Sequence, residues 1–199
     1  MGQNDEWKTV STETNYENRN LRVVTEEVCT PSRSKPRSWT IVQRKPAVII
    51  APVTRDGKLL LIRQERIPIR ASIWEVPAGQ IDDVTTDEAA IKAVALRELR
   101  EETGYQLAKD GEIIALGDYF SSPGFTDERG YFFLVRPVEA ASDGHAHEES
   151  ESILDCRSFS PSELSRMIAE NEIRDANTLS ICARLVARGF LCLDKIPPR

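Results

Sequence analysis

Three carboxylates within five residues, Glu98, Glu101 and Glu102, are the densest chemical feature of this 199-residue sequence. Spacings of three and four place them on one face if the segment is helical. Oxygen ligands crowded on one rigid element suit a hard divalent cation, since Mg²⁺ takes carboxylate oxygens and keeps several waters. Without a cation, like charges so spaced cost a helix about 0.2–0.5 kcal/mol per pair, which Arg97 and Arg100 partly offset. The ordinary alternative is a solvated acidic face, and spacing alone leaves both readings open.

The wider stretch narrows the choice. Arg97-Glu98-Leu99-Arg100-Glu101-Glu102-Thr103-Gly104-Tyr105 follows Gly79 and an Ala-rich segment. It resembles the Nudix hydrolase signature, in which a Gly leads, through a Glu, to Arg-Glu-apolar-x-Glu-Glu-x-Gly-apolar. One departure stands out: Gly79 and Arg97 are eighteen residues apart rather than the family's fourteen. Four residues are close to one helical turn, so the addition lengthens either the helix or the loop without rotating the acidic face. The family's first Glu has no counterpart here. Thr85 and Ala89 occupy its two registers, and Glu88 is the nearest acid.

Three further segments resemble the ADP-ribose and nucleoside-diphosphate-sugar pyrophosphatase branch of that family. They are Trp74-Glu75-Val76-Pro77-Ala78-Gly79-Gln80-Ile81-Asp82, Ser122-Pro123-Gly124-Phe125-Thr126-Asp127-Glu128, and the polar loop holding Glu149-Ser150-Glu151. The resemblance implies an α/β/α sandwich with a mixed central sheet and an N-terminal antiparallel strand arm exchanged across a homodimer. It implies hydrolysis of the diphosphate linkage of ADP-ribose or a related nucleoside diphosphate sugar, giving a nucleoside monophosphate and a sugar phosphate. Mg²⁺ is the implied cofactor, with Mn²⁺ as a substitute. Metal ligands would be Glu98 and Glu102, with Glu101 assisting and the Ala78 carbonyl completing a shell. Glu151 or Glu149 would position or deprotonate the water, because a loop carboxylate at a distance from a dication is a better base than a direct ligand. Arg97 would orient the carboxylates. Arg63, Arg66, Glu75, Pro123 and Gly124 would contact substrate.

Each piece has a plainer reading. Pro77-Ala78-Gly79 and Pro123-Gly124 are common turn sequences. The run from Asp143 to Glu151, with His145 and His147, reads equally as a solvated loop. Arg63 and Arg66 read as surface cations, and Trp7, Trp39 and Phe120 as core or interface packing rather than base-stacking partners. At the level of function, two alternatives remain beside a nucleotide-sugar pyrophosphatase. One is a Nudix hydrolase of other nucleotides, such as NADH or nucleoside triphosphates. The other is a non-catalytic nucleotide-sensing module, against which the complete acidic set counts.

The elements that must hold these residues are legible in part. Asp87 to Thr103 contains neither Gly nor Pro and is rich in Ala and Leu, so it predicts a helix that Gly104 ends, with Thr85 and Glu88 as a capping box. Ala90, Val94, Ala95, Leu96, Leu99 and Thr103 would face a sheet. Val48–Val53 and Leu59–Ile62 flank Asp56-Gly57 and predict a hairpin. Ser72–Val76, Glu112–Leu116 and Tyr131–Val135 predict further strands. Ser160-Pro161-Ser162-Glu163 opens one helix, and Asp175 another whose apolar face would hold Leu179, Cys182, Leu185 and Val186. Residues 1–45 read as a two-strand arm, Leu21–Cys29 and Trp39–Gln43, ahead of a domain at 46–199. Two strands alone are marginal in water, so the arm must pack on something else.

Composition sets the outer bounds. A net charge of −6 and 40% hydrophobic residues describe an ordinary globular chain without the basic footprint of a nucleic-acid binder. No apolar run reaches the roughly 18 residues of a membrane span, and the polar start lacks a signal-peptide core, so the expected location is cytoplasmic. Four scattered cysteines without CxxC spacing predict buried, reduced thiols.

Overall fold

The computed structural model describes residues 6–82, 87–142 and 152–195. The chain divides into two compact units, Met1–Pro46 with Phe120–Arg129, and Ala47–Tyr119 with Gly130–Arg199.

The first unit is an antiparallel sheet of three strands, β1 (Lys8–Glu17), β2 (Leu21–Thr30) and β3 (Arg33–Arg44), in that order. The Asn18 carboxamide oxygen closes the first turn by accepting the N–H groups of Asn20 and Leu21 at 2.8 and 3.0 Å. Two strands were expected and three are present. The polar sequence KTVSTETNYE of β1 is exposed along its whole length, so it carries none of the alternation that marks a half-buried strand. Trp7, Trp39 and Phe120 are more than half exposed, so none of them belongs to the core of the chain. The segment after Phe120 docks on β3: Val42 N–H donates to the Phe125 carbonyl at 2.8 Å, and Thr126 Oγ1 donates to the Val42 carbonyl at 2.7 Å.

The second unit is a mixed sheet between helices. In chain order it contains β4 (Ala47–Thr54), β5 (Leu59–Arg66), β6 (Ala71–Glu75), β7 (Ala78–Gln80), α1 (Glu88–Thr103), β8 (Tyr105–Phe120), β9 (Arg129–Ala140), β10 (Ile153–Phe159), α2 (Pro161–Ala169) and α3 (Ala176–Ala187). Strand order is β10-β5-β4-β9-β8, with β6 on β5 and β7 on β4. β4 runs parallel to β9 and antiparallel to β5 and β7. The period of two sends Val48, Ile50, Leu60, Phe133 and Val135 to one face, where Ile91, Ala95 and Leu99 of α1 cover them. Ile49, Ala51, Leu59, Leu61, Phe132 and Leu134 face the other way, against Leu164 and Met167 of α2 and Ile181, Cys182 and Leu185 of α3.

One irregularity of this sheet positions the chemistry. β4 and β5 pair only beside their hairpin, at Val53 and Leu59. Beyond that point β5 pairs with β6 and β4 with β7, so residues 71–80 fill the opening between the diverging strands. Three hydrogen bonds donated by backbone N–H groups pin the bend: Ile50 N–H to the Pro77 carbonyl at 3.0 Å, Val76 N–H to Thr178 Oγ1 at 2.9 Å, and Ala78 N–H to Glu102 Oε2 at 2.8 Å.

The helix ends follow local chemistry. Asp87, not Thr85, caps α1, accepting Ala89 N–H, and Thr85 lies outside the described residues. Gly104 ends α1 at φ 70°, a left-handed conformation that costs Gly little. Ser160 and Glu163 form the expected capping box of α2, and Asp175 caps α3. Two helix faces differ from expectation. Ile91 joins the buried side of α1 while Val94 and Leu96 are only half buried. On α3, Thr178, Ile181, Cys182 and Leu185 are buried and Leu179 and Val186 face solvent, because the Thr178 hydroxyl is drawn inward by Val76 N–H. The thiols are all free, but Cys182 alone is buried and Cys192 is exposed. Burial pushes the thiols of Cys156 and Cys182 up to about 11. Among the described residues, no helix is long and apolar enough to cross a membrane.

Candidate metal and active site

The last turns of α1 carry the acids, and the sheet opening supplies what they face. Glu98 and Glu102, one turn apart, are 6% and 2% exposed. A solvated acidic face is therefore excluded: two carboxylates have been taken out of water on the side of the helix that meets the bend at residues 75–80. Glu102 is held by Ala78 N–H. Glu98 lies against Gly79, where an added Cβ would sit 2.0 Å from Glu98 Cδ and 2.4 Å from its Oε1. Glycine is required here by the approach of a carboxylate to the backbone rather than by a positive φ.

Arg97 ties the set together. One guanidinium nitrogen donates to Glu98 Oε1 at 2.5 Å and another to Glu101 Oε2 at 2.6 Å. Burial alone would lower the Arg97 pKa, but Glu98 and Glu101 outweigh it and leave Arg97 above its ordinary value. Glu101, with its side chain 26% exposed, is thus turned toward Arg97. Among the described residues no three Asp, Glu, His or Cys side chains are gathered as a metal cage. The donor set still fits a hard cation: two buried carboxylates on consecutive turns of a rigid helix, with water completing the shell, is how Mg²⁺ is commonly held.

A second charged pair lies on the same face of the sheet. Arg66 on β5 chelates Glu75 at the end of β6, Nε to Oε1 at 2.9 Å and Nη2 to Oε2 at 2.7 Å. Glu75 is 2% exposed. Burial holds its carboxyl above the usual range, opposed by Arg66 and reinforced by Asp175. Arg66 is lowered by burial but raised further by Glu75, Asp175 and Glu102. Between Ile62 and Arg66 on this face sits Gln64, 8% exposed, whose Oε1 is buried and meets no hydrogen-bond partner among the described residues.

The structure thus brings together Arg66, Glu75, Ala78, Arg97, Glu98, Glu101 and Glu102. Arg63 does not join them. Three residues from Arg66 on a strand of period two, it projects from the opposite face and its Nε donates to Ser72 Oγ at 3.2 Å. Pro123 and Gly124 belong to the first unit, where the Gly124 carbonyl accepts Trp39 Nε1–H at 3.1 Å. Glu88 is exposed in the first turn of α1, paired with Lys92 at 2.6 Å and ten residues before Glu98. Glu149, Glu151, His145 and His147 lie outside the described residues. Sequence reasoning missed two participants, Gln64 and the contact that requires Gly79. The only signals for them were the position of Gln64 two residues before Arg66 and a Gly in the family's leading position.

These features have counterparts elsewhere. The NUDIX domain model matches residues 43–180. The ADP-ribose pyrophosphatase of Bacillus subtilis (strain 168) is 30% identical over 173 residues, 87% of this chain and 89% of that protein. The methanol dehydrogenase activator of Bacillus methanolicus is 28% identical over 179 residues, 90% and 92% of the two chains. The GDP-mannose pyrophosphatase of Pectobacterium atrosepticum is 28% identical over 150 residues, 72% and 74%. Among solved structures, the crystal structure of an ADP compounds hydrolase superposes with a TM-score of 0.74 over 94% of this chain and 97% of that one at 17% identity, which shows a shared fold. The helix end with its three acids, the Gly that makes room for them and the matched family model agree: the chain belongs to the Nudix hydrolase family, in its ADP-ribose pyrophosphatase branch.

Proposed function

We propose that this chain is a Mg²⁺-dependent pyrophosphatase that cleaves ADP-ribose or a related nucleoside diphosphate sugar to a nucleoside monophosphate and a sugar phosphate. The observation that carries this reading is the burial of Glu98 and Glu102 against the bend at Ala78 and Gly79. Nudix hydrolases generally use divalent metal ions, and the relatives named for ADP-ribose and GDP-mannose support this substrate class. Glu98 and Glu102 are the residues that would hold the cation, with Glu101 and the Ala78 carbonyl assisting. A bound divalent cation neutralises phosphate oxygens and lowers the pKa of a coordinated water.

The chain's own groups do the rest. Arg97 keeps Glu98 and Glu101 oriented through two short hydrogen bonds. Arg66, fixed by Glu75, offers its remaining N–H groups to a phosphate oxygen. Pro123 and Gly124 contribute a substrate-contacting turn. Glu151 or Glu149 positions the attacking water and takes its proton. The water oxygen bonds to one phosphorus, and the bridging oxygen leaves with the other phosphate. For ADP-ribose the products are AMP and ribose 5-phosphate. The exposed β1–β3 sheet, with Val24 as its one fully buried apolar side chain among the described residues, forms the arm of a homodimer in this reading.

A turnover panel with Mg²⁺ tests it: ADP-ribose, GDP-mannose, NADH, a dinucleoside polyphosphate and nucleoside triphosphates. ADP-ribose or another nucleotide sugar should be turned over fastest. Faster cleavage of triphosphates would reject the substrate class, and no turnover of any would favour a sensing module.

A further inference from the structure

The face of the sheet turned away from α1 carries a second polar concavity. It is a cleft of about 280 Å³ lined by Arg63, Ser72, Ile73, Trp74, Asn171, Glu172 and Arg174. Its walls come from two places. Arg63 and Trp74 are register partners on β5 and β6, and Ser72 lies two residues before Trp74. Asn171, Glu172 and Arg174 belong to the connection between α2 and α3.

Both walls are pinned. Phe159 meets the Trp74 ring edge-on at 5.0 Å, and the Arg157 guanidinium lies 5.6 Å from its centre. Ser72 fixes Arg63 Nε. In the connection, Asn171 adopts φ 59°, the backbone N–H groups of Glu172 and Ile173 donate to the Met167 carbonyl, and Ile173 is buried in the core. The cleft is therefore a formed surface rather than a transient arrangement of long side chains.

Its charge runs against the rest of the molecule. Both Glu172 carboxylate oxygens are taken by Arg166. Asp155, the cross-strand neighbour of Arg63, is bonded to Arg157, and among the described residues no carboxylate forms an ion pair with Arg63 or Arg174, so both guanidinium groups line the cleft with N–H groups to offer. The Asn171 amide and the Ser72 hydroxyl add polar capacity, and Trp74 adds an apolar wall. In a chain of net charge −6, such a concavity is matched to an anion, and paired guanidinium groups are suited to tetrahedral phosphate oxygens.

We propose that this cleft is a second anion site, separate from the acidic face of α1, that binds a small phosphate or phosphate ester through Arg63 and Arg174. The proposal is independent of the hydrolase reading, since no residue of the cleft belongs to the group around Glu98 and Glu102.

The test is a nuclear magnetic resonance titration of the full chain with inorganic phosphate, metal removed by EDTA, beside a KCl titration of matched ionic strength. The Arg63 Nε–H and Asn171 backbone amide resonances should move together along one saturating curve with phosphate and stay still in KCl. Arg63→Met and Arg174→Met should each raise the midpoint read at Asn171 roughly tenfold or more, the loss of a charged hydrogen-bonding group. The Arg66 Nε–H resonance serves as an internal reference for phosphate at the acidic face, and its curve should be unaffected by Arg174→Met. Shifts that KCl reproduces, or a midpoint unchanged in both variants, would overturn the proposal.

Discussion

One strand, β5, looks two ways, and its two faces have opposite chemistry. Toward α1 it presents Gln64 and Arg66, beside Glu75 and within the field of Glu102. Toward the other side it presents Arg63, beside Ser72 and Trp74. The first face buries acids and ties its arginine to one of them. The second leaves Arg63 and Arg174 without an ion-pair partner among the described residues and gives the acids Asp155 and Glu172 to Arg157 and Arg166. Sequence spacing alone groups Arg63 with Arg66, but a period of two separates them by the thickness of the sheet. The overall acidity of the chain thus reads as two local settings, one suited to cations and the other to anions.

The largest expected effect concerns Gly79. An added Cβ would meet the Glu98 carboxylate, so Gly79→Ala should cut turnover at least about hundredfold, roughly 2.7 kcal/mol of barrier, with a much smaller loss of stability. Steady-state kinetics beside thermal melting checks this, and near-normal turnover would show that Glu98 has room to move without consequence.

Next is Arg66→Met, which strands Glu75 in a buried position. The expected cost at neutral pH is about 2–3 kcal/mol, below the roughly 3–5 of a fully buried pair because the Arg66 side chain is 42% exposed. The sign with pH follows from burial, which already raises Glu75. Folding then favours the protonated acid, so the penalty is full above the folded pKa. It fades as pH falls toward the ordinary value of 4.5. Denaturant melts at pH 8 and pH 5 should show the gap to wild type shrinking at the lower pH. A constant gap would mean that Glu75 is not the group left stranded.

Gln64→Met should move stability the other way. It removes an acceptor that no described residue satisfies while keeping the volume, and a gain of about 1 kcal/mol is expected, measured as a higher Tm. A loss would mean that the Gln64 carboxamide has a partner in solution.

The smallest effect tests the scaffold of the far face. Ser160→Ala removes the cap of α2 and should cost about 1 kcal/mol with turnover unchanged. The Ser160 backbone N–H and hydroxyl also hold the Glu163 carboxyl below its ordinary value. That stabilisation is present above pH 4.5 and is lost as pH falls through the lower folded value. The hydroxyl's share of this effect is lost in the variant, while its capping of Glu163 N–H does not depend on pH, so the gap between variant and wild type should narrow in acid without closing, as chemical denaturation at pH 7 and pH 3 would show.

Legibility in the sequence followed the range of the interaction that decides each feature. α1 was readable nearly to the residue because its stop, Gly104, and its Ala and Leu content are local. The capping box of α2 was readable for the same reason. β1 was not, since a strand exposed on every residue has no pattern. For β8 the sequence pattern marks only Glu112–Leu116, the run between Gly111 and Gly117, whereas the strand spans Tyr105–Phe120. The face of α3 departs from its apolar pattern because Thr178 is buried to satisfy Val76 N–H, a partner 102 residues away. At the site, the acids and their spacing were legible. The contact of Gly79 with Glu98, the isolation of Gln64 and the separation of Arg63 from Arg66 arise from strand pairing and divergence that no local pattern encodes.

The central claim is that Glu98 and Glu102, buried together at the end of α1, are the cation site. Calorimetric titration of the chain with Mn²⁺, a spectroscopically useful stand-in for Mg²⁺, tests it most directly in wild type, Glu98→Gln and Glu102→Gln, with circular dichroism confirming that each remains folded. The account predicts saturable binding in wild type that weakens at least tenfold in either variant. Equal Mn²⁺ affinity in all three folded proteins would contradict it.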